Sequence, residues 1–159
     1  GTDTAQHAFT TTIDGGKAKV GAPICYESIF SEEFARFVRD GAQVMTVITN
    51  DSWWKNTPGH KQHFLMAKLR AVETRRAIAR AANTGISAFI MPNGDVHQAT
   101  QYQTRTAIKE NIPLNDQLTF YVRHGDYLAR IAVGLAAAAL LLFIILIIKN
   151  KTAIARRTR

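Results

Sequence analysis

Cys25 is the single cysteine among 159 residues, and it stands in the stretch Gly-Ala-Pro-Ile-Cys-Tyr-Glu-Ser over 21–28. Ala18, Val20, Ala22 and Ile24 lead into it with the alternation of a strand. A helix is expected to follow at once, with Ser31 as its N-cap and Glu32 and Glu33 in its first turn, where acids suit the helix dipole. A thiol at such a strand-to-helix turn lies near backbone N–H groups and the positive helix end, and both favour the nucleophilic thiolate. Glu27 is two residues on; along a continuing strand it would share a face with Cys25 and could take a proton or orient an amine. A carboxylate alone disfavours a thiolate, so a cation is needed as well. The competing readings are a buried cysteine acting as a small hydrophobe, and Glu27 as a helix N-terminal acid.

A second candidate stretch is the polar and aromatic loop over 50–59, opening Asn50-Asp51-Ser52-Trp53-Trp54. It follows a strand, and open α/β sheets place their sites beyond the carboxyl ends of strands. Adjacent tryptophans in a polar loop imply either packing or contact with a substrate or a membrane interface. His60 and His63 could both touch a metal, but no third ligand is evident, so no metal is expected. Arg70, Glu73, Arg75, Arg76 and Arg80 read as a salt-bridged helix face.

The elements that must position these groups follow from periodicity. Residues 9–13 and 17–24 flank Asp14-Gly15-Gly16, a hairpin signal. A helix is expected over 31–39, with Phe30, Phe34, Phe37 and Val38 on one face and Gly41 as its stop. Residues 43–49 read as a strand covered on both faces. A long helix is expected over 60–82, with Phe64, Ala67, Ala71 and Ile78 as one stripe and Leu65, Leu69 and Val72 beside it. Strands are expected over 86–91 and 106–112, with Pro92-Asn93-Gly94-Asp95 turning into Val96-His97. Strand, helix, strand, helix and meander make an α/β sheet packed by helices.

The net charge of +8 suggests nucleic acid until its location is considered. From residue 128 onward there are six basic residues and no acids, whereas 1–127 carry fourteen basic against twelve acidic. The excess belongs to the tail, so no nucleic-acid partner is expected. Residues 131–148 are apolar or small without a charge, about 27 Å as a helix against a hydrocarbon core of roughly 30 Å. The expected organisation is a domain over 1–127, a transmembrane helix over 128–149 and a basic tail over 150–159. The positive-inside rule puts that tail in the cytoplasm and the domain on the other side. The first residues read like the middle of a longer chain.

Five short motifs stand in order: Ile24-Cys25-Tyr26-Glu27-Ser28, Asn50-Asp51-Ser52-Trp53-Trp54, Pro58-Gly59-His60-x-Gln62-His63, Arg70-Ala71-x-Glu73 and Asn83-Thr84-Gly85-Ile86-Ser87-Ala88. With the final apolar run, the chain resembles the C-terminal portion of the apolipoprotein N-acyltransferases, members of the nitrilase superfamily in the bacterial inner membrane. The resemblance implies part of an α-β-β-α sandwich on the periplasmic side, followed by one transmembrane helix. It implies that Cys25 takes a fatty acyl chain from a phospholipid, usually phosphatidylethanolamine. The thioester would then pass it to the N-terminal cysteine α-amine of a diacylglyceryl apolipoprotein, without a cofactor. Cys25 maps to the nucleophile and Glu27 to the supporting acid, with Tyr26, Asn50, Trp53 and Trp54 as substrate contacts. The family's triad glutamate and lysine lie upstream of the cysteine motif, and Lys17 and Lys19 stand too close to Cys25 to be that lysine. The chain by itself is therefore expected to be inactive. The rival readings are a membrane-anchored nitrilase-like amidase and a non-catalytic membrane-anchored module.

Overall fold

In a computed structural model, residues 7–13 and 16–157 are described. The chain divides into two units, Gly1–Gly125 and Asp126–Arg159.

The first unit is built on one six-stranded sheet in the order β1-β2-β3-β4-β5-β6. Strands β1 (Phe9–Ile13) and β2 (Gly16–Gly21) pair antiparallel, as the hairpin signal anticipates, although Asp14 and Gly15 lie outside the described residues. Beyond β2 the chain makes one further parallel bridge, Ile24 to Ile48, before it turns. Helix α1 (Ser31–Arg39) leads to β3 (Val44–Thr49), which runs parallel to β2. Its N-cap is Phe30, with no side-chain cap, so Ser31 is the first helical residue and not the cap. Gly41 ends it as expected: at φ +99° it lets its own N–H reach the Val38 carbonyl and that of Ala42 reach Phe37.

Helix α2 (Pro58–Thr74) starts on Thr57, whose side chain caps the Gly59 N–H. It stops at Thr74, eight residues before the expected end at 82. Arg75 turns left-handed (φ 53°) and Ile78–Ala82 forms β4, parallel to β3 from Met45↔Ile78 to Thr49↔Ala82. The run Ile-Ala-Arg-Ala-Ala is as compatible with a helix as any by intrinsic preference. Tertiary burial overrides it, because a central parallel strand gains a ladder on β3 and buries Ile78 fully. Arg76 locks the exit, donating to the carbonyls of Ala42 and Gln117 at 2.6 and 2.9 Å.

Strands β5 (Ala88–Ile90) and β6 (Val96–His97) complete an antiparallel meander from β4. No strand forms over 106–112. The Lys109 carbonyl and Glu110 side chain bond to Gln98 instead of to a neighbouring ladder, and Ile112 packs on Val20, Val44 and Ala77. A short α3 (Phe120–His124) closes the unit.

The main core joins Phe34, Phe37 and Val38 of α1, Met45 and Val47 of β3, Phe64, Ala67 and Ala71 of α2, and Ile78 and Ile90. Phe64, Ala67 and Ala71 of the expected stripe thus face inward from α2, Ile78 reaches the same core from β4, and Leu65, Leu69 and Val72 stand exposed beside the stripe. Strand β3 is not covered throughout: Ile48 is 58% exposed, as is its bridge partner Ile24 at 63%.

The second unit is helix α4 (Tyr127–Arg157). Its segment Tyr127–Lys149 is long and apolar enough to cross a membrane.

Candidate functional site

Cys25 occupies a backbone elbow. It opens a 3-10 turn, Cys25–Ile29, with φ 52°, the left-handed region that non-glycine residues seldom adopt. The chain therefore does not continue as a strand past Cys25, and Glu27 does not share its face. The Glu27 carboxylate folds back instead and accepts the Ile24 N–H at 2.8 Å, while the Glu27 N–H donates to the Ile24 carbonyl at 3.1 Å. Buried Ser28 donates to the Cys25 carbonyl at 2.7 Å. Glu27 and Ser28 thus hold the elbow from both sides of the thiol.

Beside the elbow, a cavity of about 350 Å³ is lined by Cys25, Tyr26, Asn50, Trp53, Trp54 and His63. Five of these are sequence-derived candidates, brought together from the turn after β2 and the loop after β3. Trp53 is 81% exposed, whereas Trp54 lies against the start of α2. A Cβ on Gly59 would sit 2.5 Å from the Trp54 ring, so glycine is what allows that approach. Asn50 is held from two sides: its side-chain Oδ1 accepts from the Ser52 N–H in its own loop and from the Thr84 hydroxyl beyond β4, both at 3.2 Å.

Joined to the cavity through His63 is a buried polar network that periodicity did not reveal. His63 Nδ1 is 2.8 Å from Asp51 Oδ1, and Arg80 donates to Asp51 Oδ2 at 2.7 Å. The side chains of Asp51, His63 and Arg80 are 1%, 2% and 0% exposed. So short a contact with an ionised carboxylate makes Nδ1–H the donor to Asp51, and Nε2 of the same ring lies 3.3 Å from both the Cys25 carbonyl oxygen and Ser28 Oγ. Burial alone would raise the Asp51 carboxyl, but the His63 hydrogen bond, the Arg80 charge and the Thr49 hydroxyl hold it below the usual carboxylate range. Burial draws Arg80 down, against the opposing charge and hydrogen bond of Asp51. The Thr49 hydroxyl bridges this network to the sulfur, 3.1 Å from Cys25 Sγ and 3.1 Å from Asp51 Oδ1.

This placement corrects the reading of the arginines. Arg70 and Glu73 do pair on α2, at 3.0 Å, and Arg70 also donates to the Ile29 carbonyl at 2.9 Å, tying the helix to the elbow. Arg80 belongs to a strand and to the site. The two histidines diverge: His60 stacks on Tyr102, 4.7 Å between ring centroids, while His63 serves Asp51. Among the described residues, no group of three or more His, Cys, Asp or Glu side chains could hold a metal. The available signal for the network was polar side chains at three helix- and strand-compatible positions, and it needed the parallel pairing of β3 with β4 to become legible.

The carbon-nitrogen hydrolase family profile matches residues 3–117. Among curated relatives, the chain is 38% identical over 126 residues to the apolipoprotein N-acyltransferase of Chlorobaculum tepidum, covering 79% of this chain and 24% of that protein. It is 35% identical over 142 residues to the one from Geobacter metallireducens, covering 89% and 27%. The chain thus spans about a quarter of the length of the curated relatives it matches. Among solved structures, it superposes on a carbon-nitrogen hydrolase from Helicobacter pylori with a TM-score of 0.56 at 10% identity, covering 65% of this chain and 42% of that one. An amidase from Nesterenkonia sp. gives 0.51 at 19% identity, covering 79% and 46%. These structures share the fold, a mixed α/β nitrilase-like arrangement, and with the profile matching most of its length this chain belongs to the carbon-nitrogen hydrolase family.

Proposed function

We propose that the chain is the C-terminal part of a membrane-bound N-acyltransferase in which Cys25 carries a fatty acyl group as a thioester. The observation that supports this most is the position of Cys25: at a left-handed elbow, it faces a cavity walled by Tyr26, Trp53 and Trp54. A small amide needs no exposed aromatic wall, whereas an acyl chain leaving a bilayer loses about 0.8 kcal/mol for every CH₂ it exposes to water. The donor is a phospholipid such as phosphatidylethanolamine, and the acceptor is the N-terminal α-amine of a diacylglyceryl apolipoprotein. Curated relatives named apolipoprotein N-acyltransferase support that choice.

In this reading Cys25 Sγ attacks the ester carbonyl, the lipid alcohol leaves, and the acceptor amine later displaces the thiolate. Glu27 acts by holding the elbow through Ile24, not by proton transfer. Tyr26, Asn50, Trp53 and Trp54 form the wall that the acyl chain and headgroup meet. The base for the thiol and the cation for the oxyanion come from outside this chain, so the chain alone is inactive. Residues 128–149 span the inner membrane, with the catalytic unit on the periplasmic side and 150–159 in the cytoplasm.

The test is to incubate the complete protein with phosphatidylethanolamine and weigh the peptide that contains Cys25, with Cys25→Ser as control. A hydroxylamine-labile acyl mass absent from the variant is the expected result. An unmodified Cys25 in folded protein that hydrolyses small amides would make it an amidase, and one that does neither would make it a non-catalytic module.

A further inference from the structure

The Thr49 hydroxyl has one proton and two acceptors, Cys25 Sγ and Asp51 Oδ1, both at 3.1 Å. Thr49 ends β3, is 6% exposed, and its β-branched side chain is stiff, so the hydroxyl's choice is restricted to these two partners. Asp51 does not depend on it. Oδ1 keeps the His63 Nδ1–H at 2.8 Å and Oδ2 keeps Arg80 at 2.7 Å when the Thr49 proton turns away. A carboxylate so supplied releases a third donor at small cost. An ionised sulfur with no other donor among the described residues gains a charge-assisted hydrogen bond.

We infer that Thr49 is a second catalytic residue, whose hydroxyl donates to the Cys25 sulfur whenever that sulfur is a thiolate and to Asp51 when it is not. The inference rests on the reading of Cys25 as nucleophile. In the resting thiol, S–H points to Thr49 Oγ1 and the Thr49 proton points to Asp51. Loss of the thiol proton to a carboxylate base turns the Thr49 proton to the sulfur. On acylation the sulfur electron pair forms the C–S bond as the ester C–O bond breaks, and the Thr49 proton returns to Asp51. The base hands its proton to the departing lipid alcohol. On discharge the amine nitrogen forms the amide bond and gives its proton to the base. The C–S electron pair returns to sulfur, and Thr49 donates to it again. The same hydroxyl therefore serves nucleophile and leaving group.

The experiment is alkylation of Cys25 by iodoacetamide across a pH series, read by mass, in the complete detergent-solubilised protein. Thr49→Val removes the donor at nearly constant volume, and Thr49→Ser keeps it. The pH–rate profile of Thr49→Val is expected to move to higher pH, with alkylation at neutral pH slowed about tenfold to a hundredfold, the range set by one hydrogen bond to a charged group. Thr49→Ser restores the profile. If Thr49→Val does not fold, Thr49→Ala makes the same comparison without a new methyl against Asp51. A folded variant lacking the hydroxyl whose profile superimposes on the parent overturns the assignment. Acyl loading of Cys25 in the parent protein separates the two levels. A loaded Cys25 with an unmoved variant profile removes Thr49 alone, whereas a Cys25 that never loads removes the reading on which it rests.

Discussion

His63 Nδ1 and Asp51 Oδ1 lie 2.8 Å apart in a pocket that leaves neither side chain more than 2% exposed, and Arg80 closes the opposite carboxylate oxygen. The pair joins α2 to the loop after β3, and Arg80 brings in β4. One carboxylate therefore ties together three elements beside the candidate cavity. Replacing Asp51 by Asn leaves a buried arginine uncompensated, a change that costs about 3–5 kcal/mol. Chemical denaturation of the solubilised protein would show it as a lower midpoint, and an unchanged midpoint would remove Asp51 from the structural account.

The same carboxylate sets a pH dependence. Its value in the folded state lies below the ordinary 3.8, so the unfolded chain binds its proton more readily. The stability it contributes is fully present above that unfolded value and is lost as pH falls below 3.8 through the folded-state value. The parent protein should therefore lose stability in that acid window more steeply than Asp51→Asn. Parallel slopes for the two proteins across that window would contradict the depressed value.

Trp53 and Trp54 should separate function from stability. Trp53 is 81% exposed, so Trp53→Ala should change stability by less than about 0.5 kcal/mol and act on lipid engagement alone. Acyl loading of Cys25 in mixed micelles is the readout. Gly59→Ala should act on the same cavity indirectly, because its Cβ occupies the place of the Trp54 ring. Loading falls in both variants if the aromatic wall meets the acyl chain.

Arg75 gives a prediction of the opposite sign. It holds φ 53° at the end of α2 and is exposed, and its side chain reaches only as far as the Pro92 carbonyl, at 3.3 Å. Arg75→Gly should stabilise the unit by about 0.5–1 kcal/mol, since glycine adopts that conformation without a Cβ penalty. Thermal unfolding at fixed pH decides the sign.

The pairing of β1 with β2, α1 with its Gly41 stop, the span of β3 and the aromatic loop were legible in the sequence because local signals suffice there, although Ile48 leaves β3 less covered than its apolar run implies. Beyond Thr74 they part. Ala77 to Ala82 carries strong helix formers, and what makes it a strand is a ladder with β3, on the far side of the whole of α2, which no local window contains. The cysteine, the tyrosine beside it, Asn50 and the tryptophans could be chosen by residue type and motif. Thr49, His63 and Arg80 could not be joined into a network, because their chemistry depends on that unforeseen pairing. Glu27 was legible as a member of the cysteine motif, but strand geometry was the wrong frame for where its carboxylate goes.

The left-handed backbone at Cys25 has an evolutionary consequence. A side chain there carries a conformational cost of roughly 1–2 kcal/mol that glycine would avoid. If Cys25 is the nucleophile proposed above, its sulfur is retained at the expense of the local thermodynamic optimum. Under the acyl-carrier proposal, selection for heat tolerance alone should favour Cys25→Gly and yield a sturdier fold that has lost its thiol.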